Sequence, residues 1–392
     1  MNYELIGGDN KHILRMYPDN CFSGIITDSP YEINFMGNSW DRSYVSYDTE
    51  MWAEALRVLK PGGHLMAFGS ARTYHRIASA IDDAGFEVRD MIEWMYGSGF
   101  PKSQDVSKEM AKRNGAEREV IAEIGSAGNF SGNRYNQDNS DREKYIRTIT
   151  KPSTEEAEEW DGWGSLLKPA HEPICLARKP FKGTLVENIL QYGTGGLNID
   201  ACRIAGESNI INKLEKWSGF GQEKRPQYTA ELNTKGRWPA NIIHDGSGDV
   251  LDVFPVTKSG GKNITKSMPN NSIYGKDNRL PGTVNIAYDD LGTAARFYYC
   301  AKTTKNDRNE GLPKGWVNDH PTVKPTELMR YLTRLIMPYG GVLLDIFNGS
   351  GSTGKAAALE GFDYVGIDKD VHFLRISKFR IEFAKNQMRL GL

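Results

Sequence analysis

Apolar positions near the start of the chain follow two alternating patterns. Short apolar runs bounded by turn-forming residues predict strands, and apolar residues at helical spacing predict helices between them. In chain order these elements are strand 22–26, helix 49–59, strand 64–68, helix 71–84 and strand 86–95. Proline and glycine at 60–63 and Gly85 predict where the two helices end. This alternation of strands and helices indicates a parallel α/β sheet.

The end of the chain repeats this pattern. It comprises helix 326–336, a Pro and Gly break at 338–341, strand 342–346, helix 355–360, strand 364–367 and a final helix. Residues 103–165 and 203–318 differ, because they are polar, rich in Asn, Gly and Ser, and show little regular alternation. The pattern therefore predicts one α/β domain whose halves come from the two ends of the chain, with the polar stretches inserted between them.

Composition narrows the class of protein without indicating a function. Of 392 residues, 39% are hydrophobic and 25% are charged, and the formal net charge of -1 gives no global basic signature of a nucleic-acid-binding protein. No apolar run approaches the roughly 18 residues of a membrane span, and the N-terminus lacks a signal-peptide pattern. We therefore expect a cytoplasmic protein that contacts no membrane.

The four cysteines do not indicate a metal site. Cys21, Cys175, Cys202 and Cys300 lie far apart in the sequence and show no C-x-x-C spacing. That arrangement predicts free thiols rather than zinc ligands or a disulfide framework. We predict no metal ligands elsewhere in the chain.

A basic and aromatic segment lies in the second polar stretch. Residues 203–280 contain 12 Lys and Arg against 8 Asp and Glu, with aromatic residues interleaved among them. This composition suits phosphate contacts and base stacking, but it is equally typical of a solvated surface loop. The cationic residues that we predict to contact nucleic acid are Lys224, Arg225, Lys235 and Arg237.

The sequence Asp28-Ser29-Pro30-Tyr31 directly follows the first predicted strand. Asp, Ser and Pro are common turn formers, and Pro30 favours an extended conformation of Ser29, so a simple turn explains these residues. An acid, a proline and an aromatic ring at the end of a buried strand also suit an active site. On their own, these four residues leave both interpretations open.

A glycine-rich sequence, LLDIFNGSGSTGKAA at 343–357, permits three interpretations. A P-loop would require Ser or Thr to hold magnesium at the position of Ala356. A plain glycine-rich turn is the second interpretation. The third is a nucleoside pocket, in which the loop approaches the ligand closely and Asp368, about 20 residues further on, accepts the ribose hydroxyls. The position of Asp368 at the end of the next predicted strand favours the nucleoside pocket.

Together these segments resemble the amino-group DNA methyltransferases of the β arrangement. That family has a D-P-P-Y or S-P-P-Y catalytic tetrad, then a target-recognition region, then an F-x-G-x-G loop for S-adenosylmethionine. Here the tetrad is at 28–31 and the loop at 347–351, while HPTVKP at 320–325 matches the family's H-P-T-x-K-P segment. The segments NFMGNSWD (34–41) and LKPAHEPICLARKP (167–180) are similar to phage-type and prophage-type members.

The resemblance implies a Rossmann-like, doubly wound methyltransferase sheet assembled from both chain ends. In that arrangement, residues 1–102 and 166–202 form the N-terminal part of the catalytic domain, 103–165 an insertion, 203–318 the target-recognition region and 319–392 the cofactor-binding part. The catalytic residues implied are Asp28, Ser29, Pro30 and Tyr31. The cofactor-binding residues implied are Asp28, His320, Thr322, Lys324, Asp345, Phe347, Gly349, Gly351 and Asp368.

The resemblance further implies a site-specific DNA methyltransferase that uses S-adenosylmethionine and acts on double-stranded DNA. An Asp at the first tetrad position favours the N6 of a flipped-out adenine, with cytosine N4 as the alternative. Ser29 stands where the family has proline, so a catalytically weak homologue that binds DNA and cofactor is a second alternative. The resemblance leaves open a homodimer and a cognate endonuclease as partners.

Overall fold

The computed structural model describes residues 1–34, 39–99, 103–126, 145–205, 209–216, 227–233, 235–258, 291–302, 304 and 306–390. The chain divides into two compact units. The larger comprises Met1–Gly97 and His171–Leu392, and the smaller comprises Ser98–Ala170. No helix in the described part of the chain is long and apolar enough to cross a membrane.

Strands and helices alternate over much of the described chain. The strands are β1 (Tyr3–Gly7), β2 (Phe22–Thr27), β3 (Leu59–Phe68), β4 (Glu87–Met95), β5 (Val120–Ser126), β6 (Tyr145–Thr150), β7 (His171–Arg178), β8 (Asn209–Lys216), β9 (Gln227–Asn233), β10 (Ile242–His244), β11 (Val256–Lys258), β12 (Leu291–Thr293), β13 (Tyr299–Cys300), β14 (Val342–Asp345) and β15 (Asp363–Asp368). The helices are α1 (Asn10–Leu14), α2 (Thr49–Val58), α3 (Tyr74–Asp83), α4 (Val106–Arg113), α5 (Glu155–Glu159), α6 (Leu185–Tyr192), α7 (Gly248–Leu251), α8 (Thr326–Ile336), α9 (Ser352–Glu360) and α10 (Val371–Leu390).

One sheet organises the larger unit. Its nine described strands lie in the order β1-β15-β14-β2-β3-β7-β4-β10-β13. Neighbouring strands are parallel, except that β7 runs antiparallel to both β3 and β4. β7, for which the sequence pattern predicts no strand, is the exception in this mostly parallel sheet. Residues 98–170 connect β4 to β7, and antiparallel neighbours such as these need no crossover connection.

Hydrophobic cores cover both faces of this sheet. Successive residues of a strand point to opposite faces, so Ile25 and Ile26 of β2 belong to different cores, as do Leu343 and Leu344 of β14. One core contains residues of α2 and α3, and the other contains residues of α8, α9 and α10. The predicted doubly wound α/β fold is confirmed.

The two ends of the chain meet within the sheet. β14 pairs with β2 through Leu343–Gly24 and Leu344–Ile25, and β1 pairs with β15 from Tyr3–Tyr364 to Gly7–Asp368. Strands from the beginning and end of the chain are therefore direct neighbours. The predicted assembly of one sheet from both chain ends is confirmed.

β3 begins earlier than the sequence pattern predicts. The turn formers at 60–63 predict a break after the helix, but α2 ends at Val58 and β3 begins at Leu59. The Gly62 N–H donates to the carbonyl of Lys179 at 3.0 Å, and the Lys179 N–H donates to the carbonyl of Gly63 at 2.9 Å. Long-range pairing therefore makes this Pro and Gly segment part of β3, although Gly62 has a left-handed φ of 79° and the pairing with β2 is irregular here.

Part of the second polar stretch joins the main sheet. β10 pairs with β4, and β13 pairs with β10, although both strands lie within 203–318. The sequence pattern does not predict these short strands. β8 with β9 and β11 with β12 form two separate antiparallel pairs. The role of 203–318 in target recognition stays a prediction.

The described residues of the smaller unit form an antiparallel strand pair and two helices. β5 pairs with β6, and the side chain of Asp105 caps α4 by accepting a hydrogen bond from the N–H of Lys108. Arg118 connects strand and helix, because its guanidinium donates to Thr150 Oγ1 and to Ser107 Oγ, each at 2.8 Å. The predicted insertion 103–165 lies inside this unit.

Candidate active site

The two sequence motifs lie at the same edge of the sheet. β2 and β14 are parallel neighbours, so the loops that follow their carboxyl ends lie side by side. Residues of both loops line a cavity of about 530 Å³. The predicted site residues that line it are Asp28, Ser29, Pro30, Tyr31, His320, Thr322, Lys324, Asp345, Phe347, Gly349 and Asp368. Gly351, also predicted to bind cofactor, is not among the lining residues.

The tetrad loop is anchored at Ser29 and Tyr31. The buried Ser29 hydroxyl donates to the carbonyl of Phe68 on β3 at 3.4 Å, and the Thr73 hydroxyl donates to the carbonyl of Tyr31 at 2.7 Å. The carbonyl of Ser29 accepts no hydrogen bond from the part of the chain that the structure describes. Serine therefore anchors this loop by a hydrogen bond, where a proline would fix φ instead.

Asp28 has one occupied and one unoccupied carboxylate oxygen. Its Oδ2 accepts a hydrogen bond from Lys324 Nζ at 2.6 Å. Its Oδ1 is buried and has no hydrogen-bond partner among the described residues. Burial raises the pKa of Asp28 above its ordinary value, although Lys324 opposes that rise. A buried acceptor without a donor is unfavourable, so Oδ1 is a suitable position for an incoming N–H group.

Lys324 lies in a buried charged cluster. Its side chain is 5% exposed, and Nζ lies 2.6 Å from Asp28 Oδ2 and 3.3 Å from Glu172 Oε2. Nζ also lies 5.3 Å from the ring centroid of Tyr31 and 5.0 Å from that of Phe68. Burial alone would lower the pKa of Lys324, but the two carboxylates raise it. The structure thus places Lys324 against the tetrad loop, and its role in cofactor binding stays a prediction.

Glu172 is a site residue that the motifs do not predict. It lies on β7 and accepts a hydrogen bond from the Tyr31 hydroxyl at 2.7 Å. The segment 167–180, which resembles phage-type members, contains this acid but gives it no role. The pairing of β7 with both β3 and β4 brings Glu172 to the tetrad.

The glycine-rich loop turns sharply beside the cavity. Gly349 and Gly351 have φ angles of 48° and 78°, in the left-handed region that favours glycine. A Cβ at Gly351 would overlap Ser377 Oγ, so no larger residue fits there without a shift of the helix behind it. Gly351 is the N-cap residue of α9, and the helix begins at Ser352. The predicted start at Lys355 is therefore wrong.

Two carboxylates hold the loop and the strand before it. Asp368 accepts the Gly349 N–H at 2.6 Å through Oδ2 and the Asp370 N–H at 2.8 Å through Oδ1. Burial raises the pKa of Asp368, although these N–H groups oppose the rise. Asp345 accepts the Thr27 hydroxyl at 2.7 Å, and burial raises the pKa of Asp345 to about 7. Both acids line the cavity, so both can meet a ligand there.

Lys355 does not serve a phosphate-binding loop. A P-loop lysine reaches the phosphates of its ligand. Lys355 is 1% exposed, and its Nζ instead contacts Asp307 at 2.9 Å and Glu310 at 2.6 Å, away from the residues that line the cavity. Among the described residues, no group of three or more His, Cys, Asp or Glu side chains could hold a metal ion. The P-loop interpretation is therefore wrong.

His320 is a neutral side chain beside the glycine-rich loop. Burial, reinforced by the charge of Lys324, lowers the pKa of His320 to about 3. Its Nδ1 accepts the Thr322 N–H at 3.3 Å, and its ring packs edge-on against Phe373 with centroids 4.7 Å apart. These contacts fix the ring against one wall of the cavity.

The loop after the tetrad has an uncommon backbone conformation. Glu32, Asn34 and Tyr44 have φ angles of 55°, 59° and 56°. Such left-handed residues other than glycine cost about 1–3 kcal/mol each and cluster at functional sites. Asp41, which also lines the cavity, supports the first of them by accepting the Glu32 N–H at 2.7 Å. This loop is therefore part of the site.

The four predicted DNA-binding cations form two groups. Lys224 and Arg225 lie outside the described residues. Lys235 Nζ lies 2.5 Å from Asp200 Oδ2, and the Arg237 guanidinium lies 5.0 Å from the ring centroid of Phe297. DNA binding by all four stays a prediction.

Comparison with known sequences gives one long match and several short ones. The family model described as DNA methylase matches residues 22–379. The type II methyltransferase M2.DpnII of Streptococcus pneumoniae is 38% identical over 72 residues, which are 18% of this chain and 26% of that protein. The type II methyltransferase M.HindIII of Haemophilus influenzae is 25% identical over 153 residues, 38% of this chain and 37% of that protein. The matched segments thus span less than half of these relatives.

Among solved structures, that of the PvuII DNA methyltransferase, which is cytosine-N4-specific, matches this chain. The match covers 100% of this chain and 94% of the PvuII chain, with 13% sequence identity and a TM-score of 0.43.

Proposed function

From the premise that this chain belongs to the DNA methylase family of N6/N4 amino-methyltransferases, we propose that it transfers a methyl group from S-adenosylmethionine to an exocyclic amino group of double-stranded DNA. One observation carries the proposal. Asp28 Oδ1 is a buried acceptor without a partner among the described residues, and Asp28 lines the same cavity as the glycine-rich loop. The proposed site of action is the cytoplasm of a bacterial or phage-infected cell.

Acceptors at the tetrad suit the chemistry of an exocyclic amine. The lone pair of such an amine is delocalised into the ring of the base, so the amine is a poor nucleophile. Asp28 Oδ1 and the carbonyl of Ser29 can accept its two N–H groups and draw the nitrogen toward tetrahedral geometry as the methyl group arrives. Tyr31 offers an aromatic face for a base turned out of the duplex. The tetrad therefore acts as a clamp that binds and activates the amine.

The cavity has the groups that S-adenosylmethionine requires. When bound, this cofactor supplies a methyl group on a positively charged sulphur. The acids Asp28 and Glu172 outnumber the single cation Lys324 in the buried cluster, so the cluster favours a positive charge beside it. Phe347 offers an apolar face for adenine, and Asp368 offers carboxylate oxygens for the ribose hydroxyls. The residues present therefore fit the cofactor that the family uses.

Adenine N6 is the proposed acceptor, and the support for it is the Asp at the first tetrad position. The test is to incubate the purified chain with labelled S-adenosylmethionine and duplex DNA, and then to identify the methylated nucleoside by mass spectrometry. We expect N6-methyladenine. Detection of N4-methylcytosine would show that the target is cytosine and not adenine. Absence of any labelled base would overturn the proposed reaction.

The type II names of the two relatives support a role in restriction and modification for this chain as well. Sequencing host DNA with modification-sensitive reads, with and without expression of this chain, would test that role. Methylation of every copy of one short sequence is expected. Methylation scattered without a sequence context would contradict it.

Phe347→Ala and Asp368→Ala are expected to weaken S-adenosylmethionine binding at least tenfold each, or about 1.4 kcal/mol. The first removes an apolar wall of the cavity. The second removes a carboxylate that lines the cavity and holds the Gly349 N–H. Calorimetry with the purified variants measures the effect. Asp363→Ala, at the other end of the same strand β15, is the matched control and should bind the cofactor as the parent does. Parental affinity in Asp368→Ala would contradict the proposal that Asp368 accepts the ribose hydroxyls.

Neutralising the predicted DNA-binding cations is expected to weaken binding of all DNA sequences and to flatten its salt dependence. Removing one cation from a phosphate should change the slope of log K against log salt by roughly 0.9. The variant replaces Lys224, Arg225, Lys235 and Arg237 with Gln. A control variant replaces four exposed cations elsewhere, Arg15, Lys182, Arg375 and Lys378. Fluorescence titrations in a series of salt concentrations measure both slopes, and equal slopes in the two variants would contradict DNA contact by the first set.

A further inference from the structure

Glu172 lies directly behind the catalytic loop without lining the cavity itself. Its carboxylate accepts the Tyr31 hydroxyl at 2.7 Å and lies 3.3 Å from Lys324 Nζ. Resting on the proposed function, we propose that Glu172 is a positioning residue for methyl transfer, which fixes the Tyr31 ring and the Lys324 ammonium so that Asp28 presents one oxygen to the amine. Glu172 acts through these two side chains and does not touch the substrate.

The contacts of Tyr31 show how the ring is fixed. The Thr73 hydroxyl holds the Tyr31 carbonyl at 2.7 Å, and Glu172 holds the phenolic hydroxyl at the opposite end of the residue. A tyrosine held at both ends has little freedom to tilt. Because a small misplacement of a reacting group can lower a rate about 100-fold, a stacking platform held in this way has a direct effect on methyl transfer.

The contacts of Lys324 show how the acceptor is fixed. Its ammonium lies between Glu172 and Asp28, and it occupies Asp28 Oδ2. This leaves only Oδ1 for the amine. Without Glu172, the ammonium would have one carboxylate instead of two, and its position relative to Asp28 would be less defined.

Burial makes a purely stabilising role for Glu172 a poor explanation. Its side chain is 18% exposed and that of Lys324 is 5% exposed. Burying two carboxylates with one ammonium requires desolvation that commonly cancels the attraction between them, so such a cluster is weak evidence for stability. A second acid beside Asp28 also raises the pKa of Asp28 and of Lys324. Glu172 therefore changes the ionisation of Asp28 and Lys324 in addition to fixing their positions.

The first test is the pH dependence of kcat in Glu172→Gln, which keeps the shape and removes the charge. The groups that face Asp28 and Lys324 are Tyr31, Glu172, His320 and Asp345, and Tyr96 faces Glu172. Loss of the Glu172 charge lowers the pKa of Asp28, which must be ionised, and of Lys324, which must be protonated. Both limbs of the kcat profile should therefore move to lower pH, with kcat at the optimum about 10- to 100-fold lower than in the parent.

A double-mutant cycle tests the hydrogen bond itself. Tyr31→Phe removes only the hydroxyl, and Glu172→Ala removes its acceptor. In the parent, Tyr31→Phe should lower kcat; in Glu172→Ala it should have less than about a twofold further effect, because the hydrogen bond is already absent. If the double variant instead lowers kcat by the product of the two single-variant factors, the two side chains act separately. That result would overturn the proposal.

The control is Glu93→Gln, which removes a carboxylate on the adjacent strand β4 that contacts His171 instead. It should keep the parental kcat and pH profile. Failure of the parent to methylate DNA would refute the proposed function. A fully active parent with a Glu172→Gln variant of equal kcat and unchanged profile would refute the positioning role alone. If Glu172→Gln does not fold, the Tyr31→Phe variant still tests the positioning role of Glu172. A parental kcat in Tyr31→Phe would overturn that role.

Discussion

Asp28→Ala is expected to lower the rate constant of methyl transfer by about 100- to 1000-fold, because one preorganised acceptor contributes a factor of that order. The change removes Oδ1, the buried oxygen that has no partner among the described residues. It should leave the fold intact, since Asp28 lies in a loop and Lys324 keeps Glu172 as a partner at 3.3 Å. Single-turnover methylation of duplex DNA measures the rate constant.

The matched control for this change is Asp83→Ala, which removes an exposed acid at the end of α3. It should methylate at the parental rate. Thermal unfolding of both variants should give melting temperatures close to that of the parent. An Asp28→Ala protein that folds and methylates at the parental rate would refute the catalytic assignment of the tetrad.

Elements with a strong amphipathic pattern could be predicted from the sequence. The predicted helix 326–336 is α8, with the same first and last residues, because its apolar face is buried against the sheet and a prolyl residue precedes it. The strands before both motifs were also predicted within a residue or two. Since these strands end at the same edge of a parallel sheet, the meeting of the two motifs followed from the fold class.

Features that depend on distant partners could not be predicted from the sequence. Residues 60–63 have the composition of a turn, but pairing with Lys179 makes them part of β3. Glu172 is one acid on a buried strand, and its partners Tyr31 and Lys324 are far away in the sequence. No local pattern contains such a contact. The direction of β7, which decides the position of Glu172, depends likewise on pairing with β3 and β4.

Local residue chemistry nevertheless distinguished the P-loop from the nucleoside pocket as interpretations of residues 343–357. Ala356 already contradicts a magnesium-binding P-loop, and the structure adds that Lys355 contacts Asp307 and Glu310 instead of the cavity. The start of α9 could not be inferred in the same way. Its position depends on the left-handed conformation of Gly351, where a Cβ would also overlap Ser377 on α10.

Lys324→Met is expected to have the second large effect, and it should act on stability and on rate together. The change leaves the buried carboxylates of Asp28 and Glu172 without their shared cation. Removing one partner from a buried ion pair commonly lowers the free energy of unfolding by about 3–5 kcal/mol. Asp28→Ala should cost much less, because it leaves one cation with one acid. Denaturant unfolding of the two variants at neutral pH makes the comparison. Lys378→Met, at an exposed position of α10, is the control and should match the parent.

The pH dependence of the Lys324→Met variant follows from the charges that remain. Lys324 lowers the pKa of Asp28, while burial raises it, so loss of the cation raises that pKa further. A carboxyl group whose pKa is higher in the folded than in the unfolded protein favours folding at low pH, and this contribution disappears as the pH rises through the folded-state pKa. The decrease in stability relative to the parent should therefore grow from acidic to neutral pH.

Residual methylation should instead rise with pH, because Asp28 accepts the amine only when ionised. Glu172→Gln is expected to shift the acid limb of the rate profile in the opposite direction, to lower pH. If Lys324→Met and Glu172→Gln both shift the acid limb of the rate profile in the same direction, then Lys324 and Glu172 do not act on Asp28 through their charges.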